Sequence, residues 1–461
     1  MGDKLLSIAR TFHGGIHPPD QKEITEEYPI QDYMDPKEDM VFPMQQHLGA
    51  PCRPIVAKGE RVLRDQRIGE PTGFVGAPVY SSVSGTVKDV KPMLHPNGQL
   101  VMSVIVENDH LYETIQGPYK PGSPEGLTRE EILERIQYAG IVGMGGAGFP
   151  THIKLNPPPD KKIDYILING SECEPYLTSD YRVMLEDTDR LLNGVRLVHQ
   201  LFPEAKCCIA VENNKLKAIK ILDRCLKSQG HEGKSNEGLE IVQLLTKYPQ
   251  GGEKMLINAV TGREVPSGGL PADVGCIVLN IDTVVAIYRA VVQARPLQRR
   301  IVTVTGRLVN RPGNYRVRIG TSFRELVEAA GGLKEEPAKI ICGGPMMGLP
   351  MTTLDVPVIK TSSSLLLLGE EEARLPEESA CIRCGKCIEA CPMHLQPYEL
   401  SELARRGEWD NFEKENGCEC IECGCCGYIC PAKRHLTQAM KLGRKTALAN
   451  RKKRMQEESK K

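Results

Sequence analysis

Two cysteine runs near the C-terminus constrain this chain more than any other feature. They read Cys381-Ile-Arg-Cys384-Gly-Lys-Cys387-Ile-Glu-Ala-Cys391-Pro392 and Cys420-Ile-Glu-Cys423-Gly-Cys-Cys426-Gly-Tyr-Ile-Cys430-Pro431. Each is a C-x2-C-x2-C-x3-C-P segment. Three thiolates at that spacing wrap three corners of an iron–sulfur cubane, and the fourth cysteine of each run reaches across to the other cluster. The expected ligands of one [4Fe-4S] cluster are therefore Cys381, Cys384, Cys387 and Cys430. Those of the second are Cys420, Cys423, Cys426 and Cys391. The proline after each last cysteine turns the chain in a new direction. CxxC pairs also bind zinc, but zinc takes four ligands and has no use for two complete runs with an exchanged member. Cys418 and Cys425 lie beside the second run and read as spare thiols, Cys425 being placed to compete with Cys426.

Bulk properties narrow the class. Of 17 cysteines, the seven outside the runs and their neighbours are scattered through the first three quarters of a 461-residue chain. A disulfide scaffold belongs to small secreted domains, and the N-terminus has no apolar h-region of a secretory signal. Lys+Arg and Asp+Glu both total 59, so the net charge is zero. That argues against a nucleic-acid binder, which carries a strongly basic face. No stretch approaches the ~18 apolar residues of a membrane span, and Leu365–Leu368 is far too short. The expectation is a cytoplasmic multidomain protein whose membrane contact runs through a partner.

The fold class expected is multidomain α/β plus β. Residues 1–122 hold short Gly-punctuated alternating segments, centred on Pro54–Gly59, Gln66–Gly69 and Ala77–Val87. This pattern resembles the barrel-sandwich fold of biotinyl and lipoyl carriers. Its matching turn, Ser82-Val-Ser-Gly85, has no lysine for cofactor attachment, so a structural or docking role is expected. Residues 123–298 alternate buried-strand patterns (Tyr165–Ile168, Cys208–Val211, Ile241–Leu245, Cys276–Leu279) with helical ones such as Val183–Leu201 and Leu216–Leu226, which predicts a mainly parallel sheet covered by helices. Residues 299–355 read as strand, turn, strand and helix, a β-grasp-like module closed by the loop Gly343–Gly348. Residues 356–440 hold the cysteine runs with helices at Leu395–Arg406 and Trp409–Glu415. Residues 441–461 are a basic tail, expected to be a solvated, frayed end.

A second motif, Gly143-Met-Gly145-Gly146-Ala147-Gly148-Phe149-Pro150-Thr-His-Ile-Lys154, follows a helical pattern at Arg129–Ala139. Consecutive glycines let backbone N–H groups approach a phosphate, and a lysine adds charge. It is neither a Rossmann fingerprint nor a P-loop; read alone, a structural turn fits as well as a nucleotide site. It resembles, however, the flavin loop of the flavoprotein subunit of respiratory complex I. So does Asn169-Gly-Ser-Glu172-Cys-Glu174-Pro175, and Gly251-Gly-Glu253 and Asn280-Ile-Asp-Thr283 follow in the family's order. The resemblance implies bound FMN, with the loop glycines, Ala147, Phe149, Lys154, Asn169, Gly251, Asn280 and Thr283 lining it. It implies that Glu172, Glu174 and Glu253 shape the pocket for NAD(H). Ser171 and Gly252 depart from the family's aspartate and glutamate.

With the opening Thr11-Phe-His-Gly-Gly-Ile-His-Pro-Pro19, the whole order of modules resembles the C subunits of the Rnf complex, a membrane ferredoxin:NAD+ oxidoreductase coupled to Na+ or H+ export. The β-grasp segment resembles that family's soluble-ligand-binding module. The resemblance implies a peripheral subunit on the cytoplasmic face of the membrane. Its partners would be the other Rnf subunits and, indirectly, ferredoxin. A soluble cobalamin- or quinone-reductase-like flavoprotein and a flavin-free cluster relay are the alternatives. No general base is expected, and His13, His17 and His152 read as structural.

Overall fold

In the computed structural model, residues 9–231 and 238–458 are described. Four apolar segments bounded by polar residues form one parallel sheet in the order Leu239–Leu244, Lys206–Glu212, Tyr165–Gly170, Cys276–Asn280. Both faces are buried, as all-parallel sheets require. One face packs under Leu191, Val195, Ile219 and Ile287, the other under Leu256, Ile257 and Val260. Successive strands are added on one side of Tyr165–Gly170, and the last falls on its other side. That reversal creates a crevice at the C-terminal ends of Tyr165–Gly170 and Cys276–Asn280, where open α/β sheets bind ligands.

The helical pattern Val183–Leu201 is broken into Ser179–Glu186 and Thr188–Gln200. The break falls at Asp187, which leaves helical geometry (φ −112°, ψ 28°). Its carboxylate lies 3.8 Å from the Arg316 guanidinium, tying this break to the β-grasp module. An apolar period reads straight through such a break because both helices bury the same face.

The N-terminal region forms two small sheets. Met40–Pro43, Leu100–Asn108, Gly85–Leu94 and Arg61–Val62 make one, and Arg53–Pro54, Arg67–Glu70 and Val79–Tyr80 the other. The Ser82–Gly85 turn is fully buried, and Ser82 Oγ donates to Ile319 O at 2.7 Å. A turn seated this way cannot swing as a carrier arm. The β-grasp sheet runs Gln31–Tyr33, Gly313–Arg318, Arg299–Thr305, Ser364–Leu368, Lys339–Cys342, Leu349–Met351. The Leu365–Leu368 run is thus an interior strand, apolar on both faces, and the sheet continues past the boundary at residue 355 suggested by the sequence. Helix Phe323–Ala329 covers it, capped by Ser322 Oγ, which accepts from Glu325 N at 3.1 Å.

In the C-terminal region, helices Pro397–Arg406, Trp409–Lys414 and Leu436–Glu458 close around Phe412, Leu400 and Met440. A Cβ on Gly443 would lie 2.7 Å from the Phe412 ring, so glycine there sets the helix approach. The expectation of a solvated, frayed end is corrected in part: the chain is helical to residue 458, while residues 452–458 stay exposed. Met440, Gly443 and Ala447 are buried, and Arg451 Nε donates to Glu413 Oε1 at 2.7 Å. Arg451 and Arg454 answer Glu413 and Asp410 on the neighbouring helix; residues 459–461 lie outside the described part.

Candidate functional site

The glycine motif sits at the crevice. Helix Arg129–Tyr138 is opened by a capping box between Thr128 and Glu131, and the chain then folds back as a narrow loop. Gly143 N donates to Phe149 O at 2.9 Å, and Val142 bridges Pro150. Gly145, Gly146 and Ala147 are exposed at its tip, while Gly148 is buried and Phe149 half-buried.

Asn169 and Asn280 are paired neighbours at the C-terminal ends of their strands. Asn280 Oδ1 caps helix Ile281–Val292 by accepting from Asp282 N (2.9 Å) and Thr283 N (3.3 Å). Its Nδ2 donates to Asp180 Oδ2 at 2.6 Å and lies 3.0 Å from where a Gly145 Cβ would be. Thr283 is fully buried behind the loop, and its Oγ1 accepts from Met144 N at 3.0 Å. It supports the loop rather than facing the cleft. Asn169 Nδ2 donates to Gly251 O at 2.8 Å, joining two loops of the crevice. Lys154 Nζ donates to Glu253 Oε2 (2.6 Å) and Val278 O (3.1 Å), so this cation and Glu253 meet as an ion pair. Glu174 turns the other way: its carboxylate accepts from Met346 N (3.1 Å) and Met347 N (2.9 Å) in the Gly343–Gly348 loop.

The residues fit a phosphate-bearing flavin. A Cβ on Gly146 would meet nothing within 4 Å, which leaves the loop backbone open to a ligand. The start of the long helix Ile281–Val292 adds a positive dipole end. Ser171 Oγ and both side-chain polar atoms of Gln250 are buried without a partner beside Asn169 and Gly251. Such atoms are costly unless a ligand or water satisfies them.

Charge in the cleft is crowded. Glu172 accepts from Asp180 N at 2.7 Å and from Tyr181 N at 3.3 Å. Burial pushes its carboxyl up, opposed by Lys22 and Lys215. Asp180 is pushed up to about 8 by burial and by the charges of Glu172 and Asp282, against Arg300. Glu174 is pushed up to about 6 by burial, held back by the Met346 and Met347 N–H groups. Sequence motifs missed Asp180, Lys22, Lys215, Gln250 and Tyr248. Lys22 sits in an unremarkable polar stretch, so only three-dimensional contact reveals it.

The cysteines gather in two clefts. Cys381, Cys384, Cys387 and Cys430 line one of ≈ 660 Å³, open space at its mouth included. Cys391, Cys420, Cys423 and Cys426 line another of ≈ 350 Å³, with Cys425. Each cleft thus takes its fourth run cysteine from the other run. Among the described residues no three His, Cys, Asp or Glu side chains close on a single-ion position. Thiols spread around a cavity suit a multi-atom cluster, whose corners are far apart, better than one zinc ion. Cys418 is buried with Phe412, outside both clefts. Cys425 is fully buried, its Sγ 3.8 Å from Tyr248 O.

The second cysteine cleft abuts the flavin-type crevice. Tyr248 Oη donates to Cys423 O at 2.9 Å, two residues before Gln250. Tyr248, Cys173, Cys423, Cys425 and Met346 share one apolar cluster. The first cleft faces outward: Cys381 and Cys384 are exposed, and Ile382 is 66% exposed.

Three family models match parts of the chain. Residues 136–289 match the Nuo51 FMN-binding domain, 10–111 the RnfC barrel sandwich hybrid domain and 301–350 the SLBB domain. The chain is 46% identical over 444 residues to the C subunit of the Na(+)-translocating ferredoxin:NAD(+) oxidoreductase complex of Acetobacterium woodii, covering 96% of this chain and 98% of that one. It is 45% identical to the C subunit of the proton-translocating ferredoxin:NAD(+) oxidoreductase complex of Clostridium ljungdahlii, covering 88% and 87%. It is 37% identical to the C subunit of the ion-translocating oxidoreductase complex of Rhodobacter capsulatus, covering 89% and 80%. A crystal structure of NAD+-reducing [NiFe]-hydrogenase in the H2-reduced state shares the fold with a TM-score of 0.51 at 17% identity, covering 72% of this chain and 65% of that one.

Proposed function

The chain belongs to the family of C subunits of ion-translocating ferredoxin:NAD+ oxidoreductase complexes, and from that premise we propose that it is the NAD(H)-handling peripheral subunit of such a complex. Electron flow there is coupled to Na+ or H+ export. Among the described residues no helix is long and apolar enough to cross a membrane; in this reading the chain meets the bilayer through the other subunits, on the cytoplasmic face. The observation that carries the reading is adjacency. A glycine-lined crevice of FMN-binding type lies against a cysteine cleft through Tyr248, and a second cysteine cleft opens outward.

When bound, FMN would interchange hydride from NAD(H) with the single electrons that two [4Fe-4S] clusters carry. The chain's own residues bind and orient. Gly145–Ala147 offer backbone N–H groups and helix Ile281–Val292 its dipole end to the phosphate, and Asn169 and Asn280 hold the crevice walls. Lys154 and Glu253 close one side as an ion pair, while Glu172 and Asp180 hold carboxyls where nucleotide would enter. Cys420, Cys423, Cys426 and Cys391 would hold the cluster nearer the crevice. Cys381, Cys384, Cys387 and Cys430 would hold the outer one, at the face a partner subunit meets. These C-terminal clefts and helices make up a ferredoxin-type domain in this reading. A soluble cobalamin or quinone reductase would share the cofactors, but the match to complex C subunits along nearly the whole chain favours the membrane assembly.

Anaerobic reconstitution with iron, sulfide and FMN, followed by NADH titration, tests this. Binding of about eight irons and one flavin, with NADH-dependent bleaching, is expected. Full iron with no flavin would leave a cluster relay.

A further inference from the structure

Residues 10–25 contain no cysteine and none of the expected cofactor-binding residues, yet they touch both the flavin-type crevice and the inner cysteine cleft. Arg10 N donates to Gln243 O and Leu245 N to Arg10 O, both at 2.9 Å, so the segment begins along the edge of the parallel sheet. Ile16 N donates to Tyr248 O at 2.8 Å, and Tyr248 N returns the bond at 2.9 Å. Gly15 N donates to Ala390 O at 3.0 Å, one residue before Cys391. A Cβ on Gly14 would lie 3.0 Å from Cys391 O, and His13 stacks on His394 with centroids 5.2 Å apart.

The same segment then enters the crevice from below. Tyr176 N donates to Asp20 O at 2.7 Å. Lys22, 4% exposed, donates from Nζ to the carbonyls of Glu172 (2.9 Å), Glu174 (3.0 Å) and Leu177. From the other side buried Lys215 donates to Ser171 O at 2.6 Å. The loop they grip does not hold its own shape. Glu172 (φ 50°) and Tyr176 (φ 70°) are left-handed non-glycine residues, a conformation kept only when surroundings enforce it.

We propose that residues 10–25 are a positioning strap: Lys22 keeps the Ser171–Leu177 loop in its nucleotide-binding shape, and Gly14–Ile16 hold the Cys391 cleft at a set distance from that loop. The proposal rests on the proposed function for its cofactors, but its mechanical part does not need them. Lys22 is a positioning residue that acts through the carbonyls it holds and through the charge it sets beside Glu172.

The test uses the full chain with Lys22→Met, Lys22→Arg and Gly15→Ala. Gly15 has φ 81°, and an added Cβ would lie 2.6 Å from Tyr248 O, so alanine lifts the strap from Tyr248. In the cofactor-free chain, Lys22→Met should lose amide exchange protection across residues 171–181 and nowhere else. After reconstitution its Kd for FMN should rise about tenfold or more, its flavin midpoint potential should move, and Lys22→Arg should recover part of both. Gly15→Ala should bind FMN within about twofold of wild type while passing electrons from flavin to cluster several-fold more slowly in stopped flow. Wild-type protection, Kd and potential in Lys22→Met would overturn the strap. So would loss of protection throughout the parallel sheet, which would make Lys22 a folding residue. If wild-type protein takes up no FMN, the proposed function fails, and the exchange comparison still decides the strap.

Discussion

Replacing Lys360 with methionine should destabilise the protein by an amount that grows with pH. Lys360 is fully buried where three regions meet. Its Nζ donates to Pro78 O (2.6 Å) in the N-terminal sheets and to Gly140 O (2.7 Å) just before the glycine loop. Burial lowers its pKa from 10.5 to about 7, opposed only by Cys52. The two carbonyls match the two N–H bonds of a neutral amine. Because the folded pKa lies below the unfolded one, the unfolded chain binds more protons between pH 7 and 10.5, and wild-type stability rises with pH there, by about 1.4 kcal/mol per unit. Two other titratable groups face Lys360, whose charge lowers both. His47 is held below its usual value by burial and by Lys360, and Cys52 is pushed up to about 11 by burial.

Methionine keeps the side-chain bulk but leaves both carbonyls without a donor, at roughly 1–3 kcal/mol each. The expected deficit is about 3 kcal/mol at pH 9 and near zero at pH 6, the wild type there carrying the cost of a buried ammonium. Urea unfolding of both proteins, read by far-UV circular dichroism at pH 6 to 9, measures it. Titrations of groups that do not face Lys360 cancel in the difference. A deficit that stays constant, or is larger at pH 6, would refute the argument.

Two further outcomes follow from the cofactor sites. Cys430→Ser should abolish the outer cluster and Cys391→Ser the inner one, each leaving about four irons. Iron analysis and EPR would show if each serine instead disables the cluster of its own run, which would refute the exchange. Gly146→Ala should leave the unfolding free energy within about 0.5 kcal/mol of wild type, since its Cβ meets nothing within 4 Å. It should nevertheless weaken FMN binding about tenfold or more, by fluorescence quenching; unchanged affinity would mean the ligand does not lie over that loop.

The strands of the parallel sheet were legible because a strand buried on both faces must be an uninterrupted apolar run, as at Tyr165–Gly170 and Cys276–Asn280. The grouping of the cysteines around two clefts was legible from the spacing of the two C-x2-C-x2-C-x3-C runs. Three things were not. Asp187 breaks a helix without interrupting its apolar period. Leu365–Leu368 reads as a short greasy run whose place in a sheet depends on strands far away in sequence. Arg451 and Arg454 look like a solvated basic tail until Glu413 and Asp410 on another helix supply their partners. Lys22 belongs with these: one lysine among polar neighbours carries no periodic or spacing signal. Lys154 shows the opposite case, a motif residue whose ammonium is held by Glu253 and Val278.

The lacing of the N-terminal segment has a consequence for biosynthesis. Arg10 must wait for Gln243, Gln31–Tyr33 for Gly313–Arg318, and Gly15 for Ala390. Residues 10–33 therefore find their last partners only once the chain has been made as far as residue 390. Loop closures that long are slow, and until they occur the sheet edges they cover stay unpaired. A nascent chain stalled before residue 390 would expose the edge of the β-grasp sheet or the flank of Tyr248 to aggregation. Closure of the inner cysteine cleft and completion of the N-terminal fold are in this sense one late event.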